Sequence, residues 1–190
     1  MIRGLLLAAG AGRRMGKPKA LVDDWLPRSV TALRDGGCDA VTVVLGAGAG
    51  DALVLLEQHL GQVAGLDAVI AEDWRSGQSA SLRAGLAAST YTHAEAALVH
   101  LVDLPDVGAD VVRRVLGVAS GPATLARAAY SGVPGHPVLI GRDHWVLLAA
   151  GLQGDEGARG YLRDHDAELV ECVDLATGRD VDSPRGVDQP

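Results

Sequence analysis

Short apolar runs alternate along the chain with longer segments in which apolar residues recur at helical spacing. Strand, helix and strand at this spacing predict right-handed βαβ units, and the apolar runs are continuous enough for parallel strands buried on both faces. The pattern therefore predicts an α/β, Rossmann-like three-layer fold with a mostly parallel mixed sheet. The segments in question are RGLLLAAG, WLPRSVTALRDGG, AVTVVLG, DALVLLEQHL, LDAVIAE, SASLRAGLAAS and AALVHLVDLP.

The alternation changes after residue 123. ATLARAAY and HPVLIG are separated only by the turn-forming SGVPG, which predicts a β-hairpin elaboration with an antiparallel pair. Helices are expected near 143–150 and 158–164, and a strand at 168–173. Ser183 and Pro184 are suited to the N-cap and first turn of a final short helix.

Length and composition limit the class of protein. The 190 residues predict one domain over 1–190, and 48% hydrophobic residues are ample for a packed core. The formal charge of −7 disfavours nucleic-acid and anionic-membrane partners. Cys38 and Cys172 are too few for a disulfide framework and are expected to be reduced. With no membrane span or secretory leader in the pattern, the expected location is cytoplasmic.

The first strand leads into a loop rich in glycine, Ala8-Ala9-Gly10-Ala11-Gly12, followed by basic residues. A dinucleotide fingerprint would need Gly or Ala where Met15 stands, and a Walker A loop would need Ser or Thr in place of Pro18. What remains is backbone open to close approach and a cluster of cations, which predicts an anion site. The cations are Arg13, Arg14, Lys17 and Lys19.

Carboxylates follow the most hydrophobic predicted strand and return near the C-terminus. Asp103 ends that strand, where it could hold Mg²⁺ against phosphates bound in the first loop. Asp106 is expected to cap the next helix. Asp180 and Asp182 lie on one side of an extended stretch, and one of them could be a second metal ligand.

Six motifs in order now resemble a known family. They are LAAGAGRRMGKPK, WRSGQSASLRAGL, VDLP, GHPVL, GDEGAR and DVDSP. The set is similar to the MobA-like NTP transferases, in particular to their molybdenum cofactor cytidylyltransferase branch. The resemblance implies a sheet of the nucleotide-diphospho-sugar transferase type and covers nearly the whole chain. The segment after Lys19, ALVDDWLPRS, is shorter than is usual in the family.

The resemblance also implies roles for individual residues. Arg14, Lys19 and Asp103 would be catalytic, and Asp103 and Asp182 would bind the metal. Gly135, His136 and Pro137 would face the acceptor, with Gly154 and Asp155 nearby. Trp74 would either cover the base or anchor its loop, and Ser79 and Ser81 could also cap a helix. The nucleotide would lie against Leu7, Ala8, Ala9, Gly10, Ala11, Gly12, Arg14, Lys19, Gly77, Gln78, Ser79 and Ser81.

The reaction implied is transfer of CMP from CTP to molybdopterin or the molybdenum cofactor, with release of pyrophosphate. The phosphate of the acceptor attacks the α-phosphorus, so catalysis is mainly positioning and charge stabilisation by cations and by Mg²⁺ or, in its place, Mn²⁺. Ala9 favours cytosine on the strength of the resemblance alone. The alternatives are GTP as donor, a phosphorylated sugar or alcohol as acceptor, or a non-catalytic cofactor-binding accessory protein. A molybdoenzyme or its chaperone would be the protein partner.

Overall fold

A seven-stranded mixed sheet forms the centre of the protein, with strand order β3-β2-β1-β4-β6-β5-β7. The structure is a computed structural model and describes residues 1–182. Strands β1 to β4 run parallel, β6 is antiparallel to both its neighbours β4 and β5, and β7 is parallel to β5. The strands are β1 Ile2–Ala8, β2 Ala40–Leu45, β3 Leu66–Ile70, β4 Ala96–Leu101, β5 Leu125–Tyr130, β6 Val133–Gly141 and β7 Glu168–Glu171.

Helices cover both faces of this sheet. Helices α1, α2 and α4 bury apolar residues in one core, and α3, α5 and α6 bury theirs in a second core on the opposite face. In α1, for example, Leu26, Val30 and Leu33 recur at helical spacing and are fully buried. The predicted three-layer α/β fold is therefore confirmed. The helices are α1 Trp25–Asp35, α2 Ala49–Leu60, α3 Gln78–Thr90, α4 Ala109–Leu116, α5 Trp145–Gly151 and α6 Arg159–Asp164.

The prediction of strands buried on both faces holds for the middle of the sheet and is wrong at its edges. All six residues of β2 are buried, whereas β3 has only exposed and half-buried residues, and Ile70 is 53% exposed. The physical reason is position, because β3 has β2 as its one neighbouring strand among the described residues. An apolar run therefore predicts a strand here but does not predict how deeply the strand is buried.

The hairpin turn is shorter than predicted. Only Ser131 and Gly132 connect β5 to β6, both with positive φ (54° and 77°), as two-residue hairpin turns require. The remaining residues of SGVPG, from Val133 onward, belong to β6. This longer strand includes Gly135 and His136, which lie where the pairing of β5 with β6 shifts register, between Pro134 and Val138.

Cys38 and Cys172 are free and buried, as predicted for small apolar side chains. No helix within residues 1–182 has both the length and the apolar character needed to cross a membrane. The short helix predicted at Ser183 and Pro184 lies outside the described residues.

Candidate active site

A cleft of about 520 Å³ opens at the carboxyl ends of β1 and β4, where ligands bind in open α/β sheets. It brings together the glycine loop, the start of α3, the segment after β4 and the end of the described chain. Most of the predicted nucleotide, metal and catalytic residues line this cleft. They are Leu7, Ala9, Gly10, Ala11, Gly12, Arg14, Lys19, Gly77, Gln78, Ser81, Asp103 and Asp182.

Two predicted nucleotide residues and one predicted cation do not line the cleft. Ala8 is fully buried in the core beneath the loop. The hydroxyl of Ser79 donates to the carbonyl oxygen of Gln153 (2.9 Å) and faces away. Lys17 pairs with Asp23 (3.6 Å) on the surface.

The glycine loop is fixed by its own backbone. Met15 N–H donates to the carbonyl oxygen of Gly12 (2.8 Å), and Lys19 N–H donates to that of Gly10 (3.0 Å). Gly12 has φ +56°, and a Cβ at this position would lie 1.9 Å from the carbonyl oxygen of Lys17. Only glycine fits there, because a side chain would both strain the backbone and collide with it. The result is a tight loop that carries Lys19 back to the end of β1.

Lys19 lies between two of the predicted metal ligands. Its ammonium donates to Asp103 Oδ2 and to Asp182 Oδ1, the latter at 2.7 Å. Arg14 Nη1 donates to the other oxygen of Asp182 at 3.3 Å. Asp103 is only 7% exposed, so its charge requires this partner. The first loop, the end of β4 and the C-terminal segment are therefore joined by charge.

This arrangement shifts the protonation equilibria of Lys19 and Asp182. Burial disfavours the charged form of Lys19, but the carboxylates of Asp103 and Asp182 outweigh it and raise the pKa of the ammonium. The hydrogen bond from Lys19 lowers the pKa of the Asp182 carboxyl, with a smaller contribution from Arg14. Lys19 is thus held positive and Asp182 negative.

Asp180 joins the same acidic group. Oxygen atoms of Asp103, Asp180 and Asp182 lie within 4.8 Å of one another. The backbone fixes this proximity, because Val181 N–H donates to the carbonyl oxygen of Asp103 (3.0 Å). Three carboxylates at this spacing match the oxygen ligands that Mg²⁺ and Mn²⁺ prefer. The group can therefore hold a divalent cation beside the glycine loop.

A second wall of the cleft forms where the Gly154–Asp155 loop meets the start of α3. Gln78 N–H donates to Asp155 Oδ1 (3.3 Å), and Ser79 N–H donates to the carbonyl oxygen of Gly154 (3.1 Å). Gly77 has φ +107°, and a Cβ there would lie 2.4 Å from Asp155 Oδ1. Gly77 therefore permits the close contact, and Asp155 lines the same cleft as the glycine loop.

Some cleft residues were not singled out by the sequence. Arg75, Leu101 and Val102 line it as well, and the Arg75 guanidinium lies over the Trp74 ring at 4.5 Å. Trp74 both lines the cleft and packs on Gly46, where a Cβ would lie 2.6 Å from the indole. The signal for Arg75 was its position inside the WRSGQ motif.

The predicted acceptor residues lie beside the cleft. Gly135 and His136 line a smaller pocket of about 90 Å³, whereas Pro137 is buried and lines neither cavity. The Tyr130 hydroxyl donates to the carbonyl oxygen of His136 (2.7 Å). Burial, with smaller contributions from His100 and then from Arg127 and Arg159, lowers the pKa of His136 to about 3, so its imidazole is neutral.

Two capping predictions are wrong. Asp106 accepts from Thr177 N–H (2.6 Å) and from the Thr177 hydroxyl, so it anchors the C-terminal segment, and Gly108 is the N-cap of α4. Ser79 and Ser81 do not cap α3, because that helix begins at Gln78 after an N-cap at Gly77. The local sequence does not indicate this role of Asp106, because Thr177 lies 71 residues away along the chain.

Comparison with known proteins identifies the family of this chain. Residues 4–169 match the MobA-like NTP transferase domain. The chain is 38% identical to nicotine blue oxidoreductase of Paenarthrobacter nicotinovorans, over 96% of this chain and 92% of the relative.

Solved structures give the same family and fold. The structure of Rv0371c from Mycobacterium tuberculosis has a TM-score of 0.75 at 30% identity, covering 96% of this chain and 93% of that one. A second Rv0371c structure, a complex with manganese, has a TM-score of 0.68 at 30% identity over 90% and 86% of the two chains. A Methanothermobacter nucleotidyl transferase shares the fold, with a TM-score of 0.81 at 22% identity over 98% and 94% of the two chains. The chain therefore belongs to the MobA-like NTP transferase family, which confirms the nucleotidyltransferase class predicted from its motifs.

Proposed function

We propose that this protein transfers CMP from CTP to a phosphorylated pterin, molybdopterin or the molybdenum cofactor, and releases pyrophosphate. One observation carries the proposal: the Lys19 ammonium donates to the carboxylates of Asp103 and Asp182 in the cleft that the glycine loop also lines. That arrangement places donors for a triphosphate and ligands for a cation around one ammonium in one cleft. The activity is assigned to one nucleotidyltransferase domain over 1–190.

The donor phosphates are assigned to the glycine loop. Gly10 and Gly12 leave the backbone open, and Arg14 and Lys19 supply positive charge within the same cleft. When nucleotide binds, Lys19 exchanges its carboxylate contact for an α-phosphoryl oxygen, where negative charge develops as the acceptor oxygen attacks. A bond forms between the acceptor oxygen and the α-phosphorus, and the bond between the α-phosphorus and the bridging oxygen breaks, so that this oxygen leaves with pyrophosphate. No side chain of the protein becomes covalently attached.

The metal is assigned to Asp103 and Asp182, with Asp180 as a third ligand. The donor set consists of carboxylate oxygens alone, which fits Mg²⁺ and also Mn²⁺. Mg²⁺, when bound, supplies positive charge beside the phosphates. Within the chain itself, the hydrogen bond between Val181 and Asp103 holds the acids in place before any ligand arrives.

The base and ribose are assigned to the wall formed by Gly77, Gln78 and Ser81. Ser79 supports this wall through Gln153, and Ala8 supports the loop from below. Ala9 favours CTP over GTP, on the strength of the family resemblance. Gly135, His136 and Pro137 are assigned to the acceptor.

The proposed setting is the cytoplasm, with a molybdoenzyme or its chaperone receiving the product. GTP as donor and a phosphorylated sugar or alcohol as acceptor keep the same site and the same phosphate chemistry. An accessory protein that only carries the cofactor would need neither the partly buried Lys19–Asp103 pair nor three clustered acids.

A panel of four nucleoside triphosphates tests the donor assignment. Each is incubated with purified protein, Mg²⁺ or Mn²⁺ and molybdenum-loaded molybdopterin, and pyrophosphate is measured. We expect release with CTP and only background release when Asp103 is changed to Asn. Release with GTP alone would change the donor, and no release from any nucleotide would remove the proposal.

A second candidate function follows from one comparison. The 38% identical relative is named nicotine blue oxidoreductase, so reduction of that dye is a second activity to test. The sequence argues against a bound dinucleotide, because Met15 stands where the fingerprint needs Gly or Ala. Decolourisation of nicotine blue by NADH or NADPH with catalytic amounts of this protein would support the oxidoreductase, and an unchanged spectrum would support the transferase.

A further inference from the structure

A small pocket beside the cleft contains positive charge that the donor site does not use. Its volume is about 90 Å³, and it shares Leu7 and Gln78 with the cleft. Liquid water occupies about 30 Å³ per molecule, so the space suits a tetrahedral oxyanion and is too small for a nucleoside. Two guanidinium groups line it, from Arg127 in β5 and Arg159 at the start of α6.

Arg127 is a buried charge that has no carboxylate partner among residues 1–182. It lies in a strand whose other residues are uncharged, and it is 9% exposed. Its Nε and Nη2 donate to the carbonyl oxygen of Gly135 (3.3 and 3.1 Å), and Nη1 has no hydrogen-bond partner in the described part of the chain. A neutral carbonyl offsets only part of the cost of burying a guanidinium, so an anion is the expected missing partner.

Arg159 adds a second positive charge to the same wall. In the part of the chain that the structure describes, neither arginine has a carboxylate oxygen within 4.0 Å. Glu156 also lines the pocket but lies beyond that distance from both. Burial, together with repulsion from Arg159, lowers the pKa of Arg127. Two guanidinium groups that line one small pocket and repel each other are typical of a site that an anionic ligand completes.

We propose that Arg127 and Arg159 bind an oxyanion group of the acceptor substrate while the nucleotidyl group is transferred to that substrate in the adjoining cleft. The neutral His136 imidazole lines the same pocket and adds a hydrogen-bonding group. The description of the ligand as the acceptor rests on the proposed function. The existence of an oxyanion site does not, because it follows from the arginines alone.

Anomalous diffraction from tungstate-soaked crystals of the full chain tests the site directly. We expect a tungsten peak within hydrogen-bonding distance of both guanidinium groups in the wild type, and its loss in Arg159→Gln. Arg159 is the better residue to change, because it is exposed and its loss leaves the core intact. A peak only at the glycine loop, or an equal peak in Arg159→Gln, would indicate an adventitious ion only and would overturn the site.

Steady-state kinetics then tests whether the ligand is the acceptor. Loss of a charged hydrogen bond of about 1.5–3 kcal/mol predicts that Arg159→Gln raises the acceptor KM by about 10–100-fold and leaves the CTP KM unchanged. Arg159→Lys should recover part of the loss. Arg163→Gln is the matched control, since Arg163 lies on the same helix, pairs with Asp164 and does not line the pocket.

The outcomes separate the two proposals. An unchanged acceptor KM, or an equal rise in the CTP KM, would show that the pocket does not bind the acceptor. If the wild type binds tungstate at the arginines but releases no pyrophosphate from any nucleotide, the oxyanion site stands and the proposed transfer fails.

Discussion

Val181 N–H donates to the backbone carbonyl oxygen of Asp103 at 3.0 Å. This bond joins the end of the described chain to the end of β4, and it places Asp180 and Asp182 beside Asp103 although they are about eighty positions apart in sequence. Because the contact uses backbone groups, the acids stay together when their side chains are changed. The predictions on the metal and on Lys19 depend on this relationship.

Replacing Lys19 with Ala should lower turnover much more than nucleotide affinity. The ammonium is expected to stabilise charge that develops in the transition state, and loss of one such donor typically costs about 100–1,000-fold in kcat. Single-turnover kinetics and CTP binding by calorimetry separate the two effects. Lys17→Ala is the matched control, because Lys17 pairs with Asp23 outside the cleft. Equal turnover in the two variants would contradict the role of Lys19.

Replacing Asp103 with Asn should weaken Mn²⁺ binding without unfolding the protein. Removal of a group that only hydrogen-bonds to a metal ligand lowers metal affinity by about 10–100-fold, so removal of a ligand itself should lower the affinity at least as much. The backbone carbonyl of residue 103 still accepts from Val181. Mn²⁺ titration followed by electron paramagnetic resonance measures the affinity. Asp110→Asn, at an exposed acid paired with Arg113, should bind Mn²⁺ like the wild type.

The Asp182 carboxylate should make stability depend on pH on the acid side. Its folded-state pKa is lowered by Lys19, so its stabilising effect is present above the unfolded pKa and is lost as the pH falls through the folded pKa. Urea unfolding of the wild type and Asp182→Asn should therefore differ at neutral pH and converge in acid. A difference that stays constant down to strongly acidic pH would argue against the ion pair.

Gly12→Ala should abolish CTP binding, because a Cβ would lie 1.9 Å from the carbonyl oxygen of Lys17 and force the loop open. Gly16→Ala is a matched control in the same loop. Gly16 also has a positive φ (+74°), but a Cβ there meets nothing within 4 Å, so only the backbone strain of about 1–2 kcal/mol applies. Thermal shift with and without CTP distinguishes the two. Equal CTP binding by both variants would remove the loop from the nucleotide site.

The sequence predicted those parts of the fold that depend on local pattern. Central strands such as β2 are apolar without interruption, and the three-layer fold follows from them. The glycine loop was located because Gly12 and the basic residues after it are close in sequence. The depth of β3 was not predictable, since an edge strand and a central strand can have the same apolar pattern.

The features that the sequence did not predict depend on contacts between residues far apart along the chain. The role of Asp106 depends on Thr177, and the pocket formed by Arg127 and Arg159 depends on how β5 and α6 pack. An arginine within the otherwise uncharged run LARAAY was the one local sign of that pocket. Whether Asp180 joins Asp182 could not be decided from sequence, because the deciding bond is made by the backbone of Val181.

The most direct test of the central claim is mass spectrometry of a reaction that contains CTP, Mg²⁺ and molybdenum-loaded molybdopterin, with pyrophosphate measured in parallel. We predict a product heavier than the acceptor by one CMP unit, one pyrophosphate for each product formed, and neither with Asp103→Asn. An unmodified acceptor and no pyrophosphate, with protein shown to be folded and to bind CTP, would contradict the account.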